Sequence, residues 1–130
     1  MRSFMGNNPI LISTGGGNEF PNSNIPENWS CATLDLVGIH SYSGVTELPK
    51  KLVLFEEFGA TGSDKASAVA QHIDISNGLK VLWMVWQITK PGKGAADYEF
   101  WTNEDTFGAM KQGSAKALSI AAAQTFPSLT

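Results

Sequence analysis

The sequence is short of several things, and each shortage excludes a class of protein. It holds one cysteine, Cys31, so no intrachain disulfide can form and thiol usage does not reveal a redox compartment. Only 16% of residues are charged, with 9 Lys and Arg against 12 Asp and Glu and a formal net charge of −3. The basic residues are scattered, and Lys50-Lys51 is their one adjacent pair. Nucleic acid is therefore not expected as a partner, because neutralising phosphates takes a basic face. The apolar stretches are short, far below the roughly 20 residues of a membrane helix, so no membrane association is expected. Residues 1–9 lack the apolar centre and cleavage site of a signal peptide. No His, Cys, Asp and Glu set has metal-ligand spacing. Gly15-Gly16-Gly17 lacks the spacing and following helix of a dinucleotide loop, so neither metal nor cofactor is expected. Length is short too: 130 residues make one domain, residues 1–130, and fall well below the roughly 250 of a complete (β/α)8 barrel.

What is present is a core pattern. Hydrophobic residues make up 42% of the chain, enough for a folded interior. Four strand-length apolar runs stand out, at residues 9–14, 34–40, 51–57 and 81–88. Their apolar character is nearly continuous, which suits parallel strands covered on both faces rather than half-exposed hairpins. Each ends in polar or glycine-rich sequence. Two helices follow the later runs. The first opens at Ser63-Asp64, carries Ala66, Val69, Ala70 and Ile73 on one stripe, and meets a stop signal at Asn77-Gly78. The second opens near Thr102 or Asn103 and runs through Phe107, Met110, Ala117 and Leu118 toward Gln124, with an interruption at Gly113. Between the first two runs, residues 26–33 have room for one short helical turn. The connection at residues 41–50 is short for a parallel crossover.

Side-chain alternation then sorts the polar residues. In the second run Gly38, His40 and Tyr42 share a face. In the third, Lys51, Val53, Phe55 and Glu57 share one face, and Leu52, Leu54, Glu56 and Phe58 the other. In the fourth, Leu82, Met84 and Trp86 oppose Trp83 and Val85. Glu57, His40, Tyr42 and Trp86 can thus gather near the C-terminal ends of adjacent strands, where sites form in parallel α/β sheets. A carboxylate straight after Leu-Val-Leu-Phe needs a partner if buried. The same carboxylate equally fits a strand that simply leaves the core there. His40 taken alone reads as a structural histidine, Trp86 alone as core, and His72 as a packing or surface residue. Trp83, Trp86, Tyr98, Phe100 and Trp101 fall within 19 residues, a density that fits either a core or a sugar platform.

These residues resemble glycoside hydrolase family 5, the endo-β-mannanase and endoglucanase type of barrel. The likeness covers nearly the whole chain but only the C-terminal half of that fold. Residues 10–15 resemble its fifth strand. Residues 37–42 resemble the sixth with its His-x-Tyr pair, residues 52–59 (LVLFEEFG) the seventh, and residues 85–87 (VWQ) the eighth. The resemblance implies an α/β fold that is half of a (β/α)8 TIM-type barrel, with about four parallel strands and two clear helices. It implies Glu57 as nucleophile, Tyr42 as its hydrogen-bond partner, His40 contacting substrate or orienting an acid, and Trp86 stacking on sugar. Tyr98 and Trp101 are candidates for a neighbouring subsite, on no matched motif. It also implies an oligo- or polysaccharide partner and an extracellular location. Asn28-Trp29-Ser30, a candidate glycosylation triplet, is compatible with that location.

One departure matters for mechanism. Retaining hydrolysis uses two carboxyl groups about 5 Å apart. The family's acid/base ends a fourth strand, upstream of everything matched here. Asn18-Glu19 is an Asn-Glu pair in another position, which makes Glu19 a weak candidate acid/base. A symmetric pairing of two copies would bring Trp86-Gln87 to the missing fourth-strand position, giving shape without an acid. An unclosed sheet leaves edges and apolar surface exposed, so a homo-oligomer is expected. Three readings stay open: a hydrolase-like protein completed by a partner, a non-catalytic sugar-binding half-barrel, and a fragment without function alone.

Overall fold

The structure, a computed structural model, describes residues 11–17, 25–42, 52–89 and 98–122. Among these residues three parallel strands form the sheet: β1 (Leu36–His40), β2 (Leu52–Glu57) and β3 (Leu82–Trp83), in that spatial order. The first apolar run adds a single parallel bridge, Ser13 to Leu36, at the free edge of β1. Of four expected strands, two are continuous among the described residues, the run at 81–88 pairs over Leu82–Trp83 with a separate bridge from Ile88 to Phe100, and the first run is reduced to a bridge. Asp35 explains how that edge segment is held: its carboxylate accepts the Ile12 N–H at 2.8 Å, while its own N–H donates to the Ile12 carbonyl at 2.9 Å.

Three helices accompany the sheet among the described residues: α1 (Pro26–Ser30), α2 (Lys65–Leu79) and α3 (Asp105–Ala122). α1 is the short turn expected ahead of β1, with Pro26 at its start, where a missing N–H costs nothing. α2 ends at Leu79, one residue beyond the expected stop at Asn77-Gly78. The chain leaves the helix at Lys80, whose left-handed backbone (φ 59°) lets its N–H reach the carbonyls of Ser76 and Asn77. Asn77, in this last turn, is also a tertiary residue. Its buried amide donates to the Gly113 carbonyl at 3.1 Å and accepts the Trp83 indole N–H at 2.9 Å, tying α2 to α3 and β3.

Gly113 does not interrupt α3. It is where α3 comes close to α2: a Cβ there would overlap the Ile73 side chain. A glycine that weakens the helix by about 1 kcal/mol is thus placed where helix–helix approach requires it. The connection at residues 41–50, short for a parallel crossover, falls outside the described residues beyond Tyr42.

The core lies between the outer face of the sheet and α2. Ile39, Val53, Phe55, Phe58, Val69 and Ile73 are buried together, with Trp83, Val85, Trp29 and Met110 packed around them. The i, i+4 pair Val69 and Ile73 is the stripe that the sequence pattern predicts. The opposite face is covered at Leu36 of β1 and open at the start of β2 and along β3. Leu52, Leu82, Met84, Trp86 and Ile88 are each 41–51% exposed. The last four alternate along β3 and its extension with the half-buried Trp83, Val85 and Gln87. No helix among the described residues is long and apolar enough to cross a membrane.

His72 sits on the core side of α2 and packs edge-on to Phe58, with ring centroids 5.6 Å apart. Its Nδ1 is buried without a hydrogen-bond partner, and burial holds its pKa below the usual 6.5. The folded state therefore resists protonation that the unfolded chain accepts. The His72 contribution is intact above pH 6.5 and is lost as pH falls through that value toward the lower folded pKa. Urea denaturation over pH 7.5 to 5 should show stability falling, with a smaller fall in His72→Leu. Equal slopes in both proteins would contradict this assignment.

Candidate active site

The site is built at the C-terminal ends of β1 and β2. The two strands pair in register from Leu36 with Leu52 to Ile39 with Phe55, and then His40 pairs with Glu57. One residue of β2, Glu56, is skipped. This bulge departs from the simple alternation that assigned Glu56 and Glu57 to opposite faces. The extra residue redirects the strand end, and both carboxylates reach the same imidazole. His40 Nδ1 lies 3.3 Å from Glu57 Oε2, and His40 Nε2 lies 3.3 Å from Glu56 Oε1. A neutral imidazole carries one N–H and can donate to only one of them, whereas an imidazolium donates to both.

Tyr42 completes the cluster. Its hydroxyl donates to Glu57 Oε1, so each oxygen of Glu57 faces a separate group. The Glu57 carbonyl also accepts the Ser41 N–H at 3.1 Å, which fixes the end of β1 against the end of β2. Glu57 keeps 22% of its side-chain surface exposed, so it is held and reachable at once. A carboxylate constrained in this way can act as a nucleophile toward an electrophilic carbon or as an acceptor of sugar hydroxyls.

The aromatic residues divide. Tyr98 packs edge-to-face on Tyr42, with centroids 4.8 Å apart and planes at 65°. Gly59 brings this wall together: a Cβ there would lie 2.9 Å from the Trp86 carbonyl oxygen and 3.3 Å from the Tyr98 ring. The Trp86 N–H donates to the Phe58 carbonyl at 2.8 Å, which anchors the backbone beside Gly59 and leaves the indole on the open face. Trp101 is set apart. It lies ahead of α3, with its N–H on the Glu104 carboxylate at 3.1 Å, and no ring contact joins it to Tyr42 or Tyr98 among the described residues. Glu19 lies outside the described residues. Among the described residues there is no group of three or more His, Cys, Asp or Glu side chains that would hold a metal ion.

Sequence reasoning missed Glu56 as a member of this cluster. The signal was in the alternation: with Gly38 opposite Leu54, an unbroken register puts His40 opposite Glu56. A Cβ at position 38 would come within 2.5 Å of Glu56 Oε1, and a Cβ at position 16 would overlap the His40 ring.

No protein-family model matches the chain, and no curated protein does. Two solved structures do. The endo-1,4-β-mannanase from Rhizomucor miehei superposes with a TM-score of 0.62 at 13% identity, over 86% of this chain and 41% of its own. The endo-β-1,4-mannanase from Thermotoga petrophila superposes with a TM-score of 0.56 at 13% identity, over 77% of this chain and 29% of its own. The chain thus spans less than half the length of either enzyme. At this identity the likeness is one of fold: an α/β arrangement with a parallel sheet, consistent with part of a TIM-type barrel like that of these glycoside hydrolases.

Proposed function

We propose that this chain is a glycoside-hydrolase-like half-barrel that takes β-linked polysaccharide, mannan foremost, with Glu57 as nucleophile. One observation carries the reading. The Glu57 carboxylate stands at the C-terminal end of a parallel strand with Tyr42 on one oxygen and His40 on the other. Trp86, on the open face, supplies an apolar ring surface suited to the face of a sugar. The mannanase fold of the two structural neighbours supports mannan over other β-linked polymers. An extracellular location belongs to the same proposal.

The chemistry follows from what is held and what is not. Glu57 attacks the anomeric carbon, a C–O bond forms, and the leaving group departs with the bonding electron pair. A natural sugar leaving group needs a proton from a second carboxyl group, whereas an activated one does not. The direct test therefore uses a β-mannosyl fluoride in which a second fluorine replaces the neighbouring hydroxyl. The Glu57–C1 bond forms as fluoride leaves, and the second fluorine slows hydrolysis of the ester. Intact-mass and peptide mass spectrometry should find one fluorosugar on Glu57. Absence of any adduct, or an adduct on another residue, would reject the nucleophile assignment.

The open face of the sheet belongs to the same reading. Leu52, Leu82, Met84 and Ile88 form the kind of apolar surface that a closed barrel buries. A second copy of this chain is the proposed cover, because two half-barrels close one ring of strands. Sedimentation at micromolar concentration should give twice the chain mass, and Met84→Asp should return a monomer. A monomeric wild-type protein would remove the closed-dimer proposal.

A specific observation also favours a second reading, a lectin-like sugar binder without turnover. Trp86 and Tyr98 keep 41% and 37% exposure, and stacked rings hold sugars without a catalytic pair. Retained mannan binding in a protein that forms no adduct would select this reading. Loss of binding in Trp86→Ala would identify its platform.

A further inference from the structure

We infer that Glu56 is a positioning residue for the nucleophile: it holds His40 by its far nitrogen, so that the near nitrogen is fixed against Glu57. The inference rests on Glu57 acting as proposed above, and it follows from three contacts. Glu56 Oε1 accepts the backbone N–H of Gly16, which belongs to the segment beside β1. The same oxygen lies 3.3 Å from His40 Nε2. The opposite ring nitrogen, Nδ1, lies 3.3 Å from Glu57 Oε2. The chain of contacts therefore runs from the edge segment through Glu56 and His40 to Glu57.

Two features indicate that this arrangement is built rather than incidental. A carboxylate with 16% exposure has lost most of its water and is retained only where bonds replace it. Space for it is also cleared on both sides. Any side chain at 38 would drive a Cβ into Glu56 Oε1 at 2.5 Å, and any side chain at 16 would collide with the His40 ring. Two neighbouring segments thus carry glycine where this pair passes. The oxygen nearest His40 is occupied by the Gly16 N–H and the imidazole, and the side chain lies across Gly38.

The experiment compares the rate of fluorosugar attachment to Glu57 in four full-length proteins: wild type, Glu56→Ala, Glu56→Gln and Gly38→Ala. Positioning contacts of this kind typically change activity by about 10- to 100-fold. Glu56→Ala and Gly38→Ala should slow labelling by that factor with unchanged mannan affinity. Glu56→Gln keeps an acceptor oxygen for the Gly16 N–H and for the ring, and should stay within about threefold of wild type. Wild-type labelling in Glu56→Ala would overturn the inference. So would a Glu56→Gln protein as slow as Glu56→Ala, which would assign Glu56 a role through its charge or its proton. A second readout is independent of sugar chemistry: the ring-nitrogen resonances of His40 should move in Glu56→Ala and Gly38→Ala. If wild type takes no label, the nucleophile reading fails by itself. Identical His40 resonances in wild type and Glu56→Ala would then overturn the clamp.

Discussion

Glu57→Gln is expected to lower the hydrolysis of an activated aryl β-mannoside by at least about 10³-fold, the scale on which removal of a covalent nucleophile acts. The substitution is nearly isosteric. The introduced amide would keep an oxygen for the Tyr42 hydroxyl, so the fold and the Tyr42–Tyr98 wall should persist. What is lost is the anionic oxygen that bonds to the anomeric carbon. An aryloxide leaves without a proton donor, so this substrate tests the nucleophile without calling on an acid. The measurement is release of the aryloxide by absorbance, with circular dichroism as a fold control. Hydrolysis that survives in Glu57→Gln would mean another residue or a contaminant does the chemistry. A variant that loses turnover but still binds mannan would place Glu57 in the chemical step rather than in recognition.

Phe58→Ala should destabilise the protein by about 3–5 kcal/mol, the range for removing a buried aromatic ring. Phe58 is fully buried and is the junction of the core. It stacks on Phe55 at 4.6 Å and meets His72 and Trp83 edge-on at 5.6 and 6.2 Å. Its carbonyl also receives the Trp86 N–H. Domains have roughly 5–15 kcal/mol of stability in all, so the variant should be largely unfolded in mild urea. The check is a urea titration with the midpoint shifted and the slope unchanged. A loss below about 1 kcal/mol would show that the core is organised around other residues.

Much of this architecture is legible in the chain. The runs that became β1 and β2 are nearly continuous apolar segments, and the alternation of Trp83, Met84, Val85 and Trp86 predicts which side chains pack inward. The stripe of Val69 and Ile73 predicts the buried face of α2. Alternation also groups His40 with Tyr42, but unbroken pairing from Gly38 opposite Leu54 would set Glu56, not Glu57, opposite His40. These features are local or periodic, so a one-dimensional pattern contains them.

Other features depend on contacts between distant segments. Gly113 looks like a helix-ending signal yet lies inside α3, because its close approach to Ile73 outweighs local preference, and the Asn77 side chain hydrogen-bonds the Gly113 carbonyl 36 positions away. The bulge at Glu56 has no periodic signature, since it arises from how β2 meets the end of β1. Only that irregularity brings two adjacent carboxylates onto one histidine. The sequence by itself determined an α/β chain too short for a complete barrel, with a candidate nucleophile and its tyrosine. The tertiary structure decided that Glu57 turns onto the face of Glu56, so that both carboxylates share His40. The physical reason is that one extra residue in a strand reverses the direction of every side chain after it.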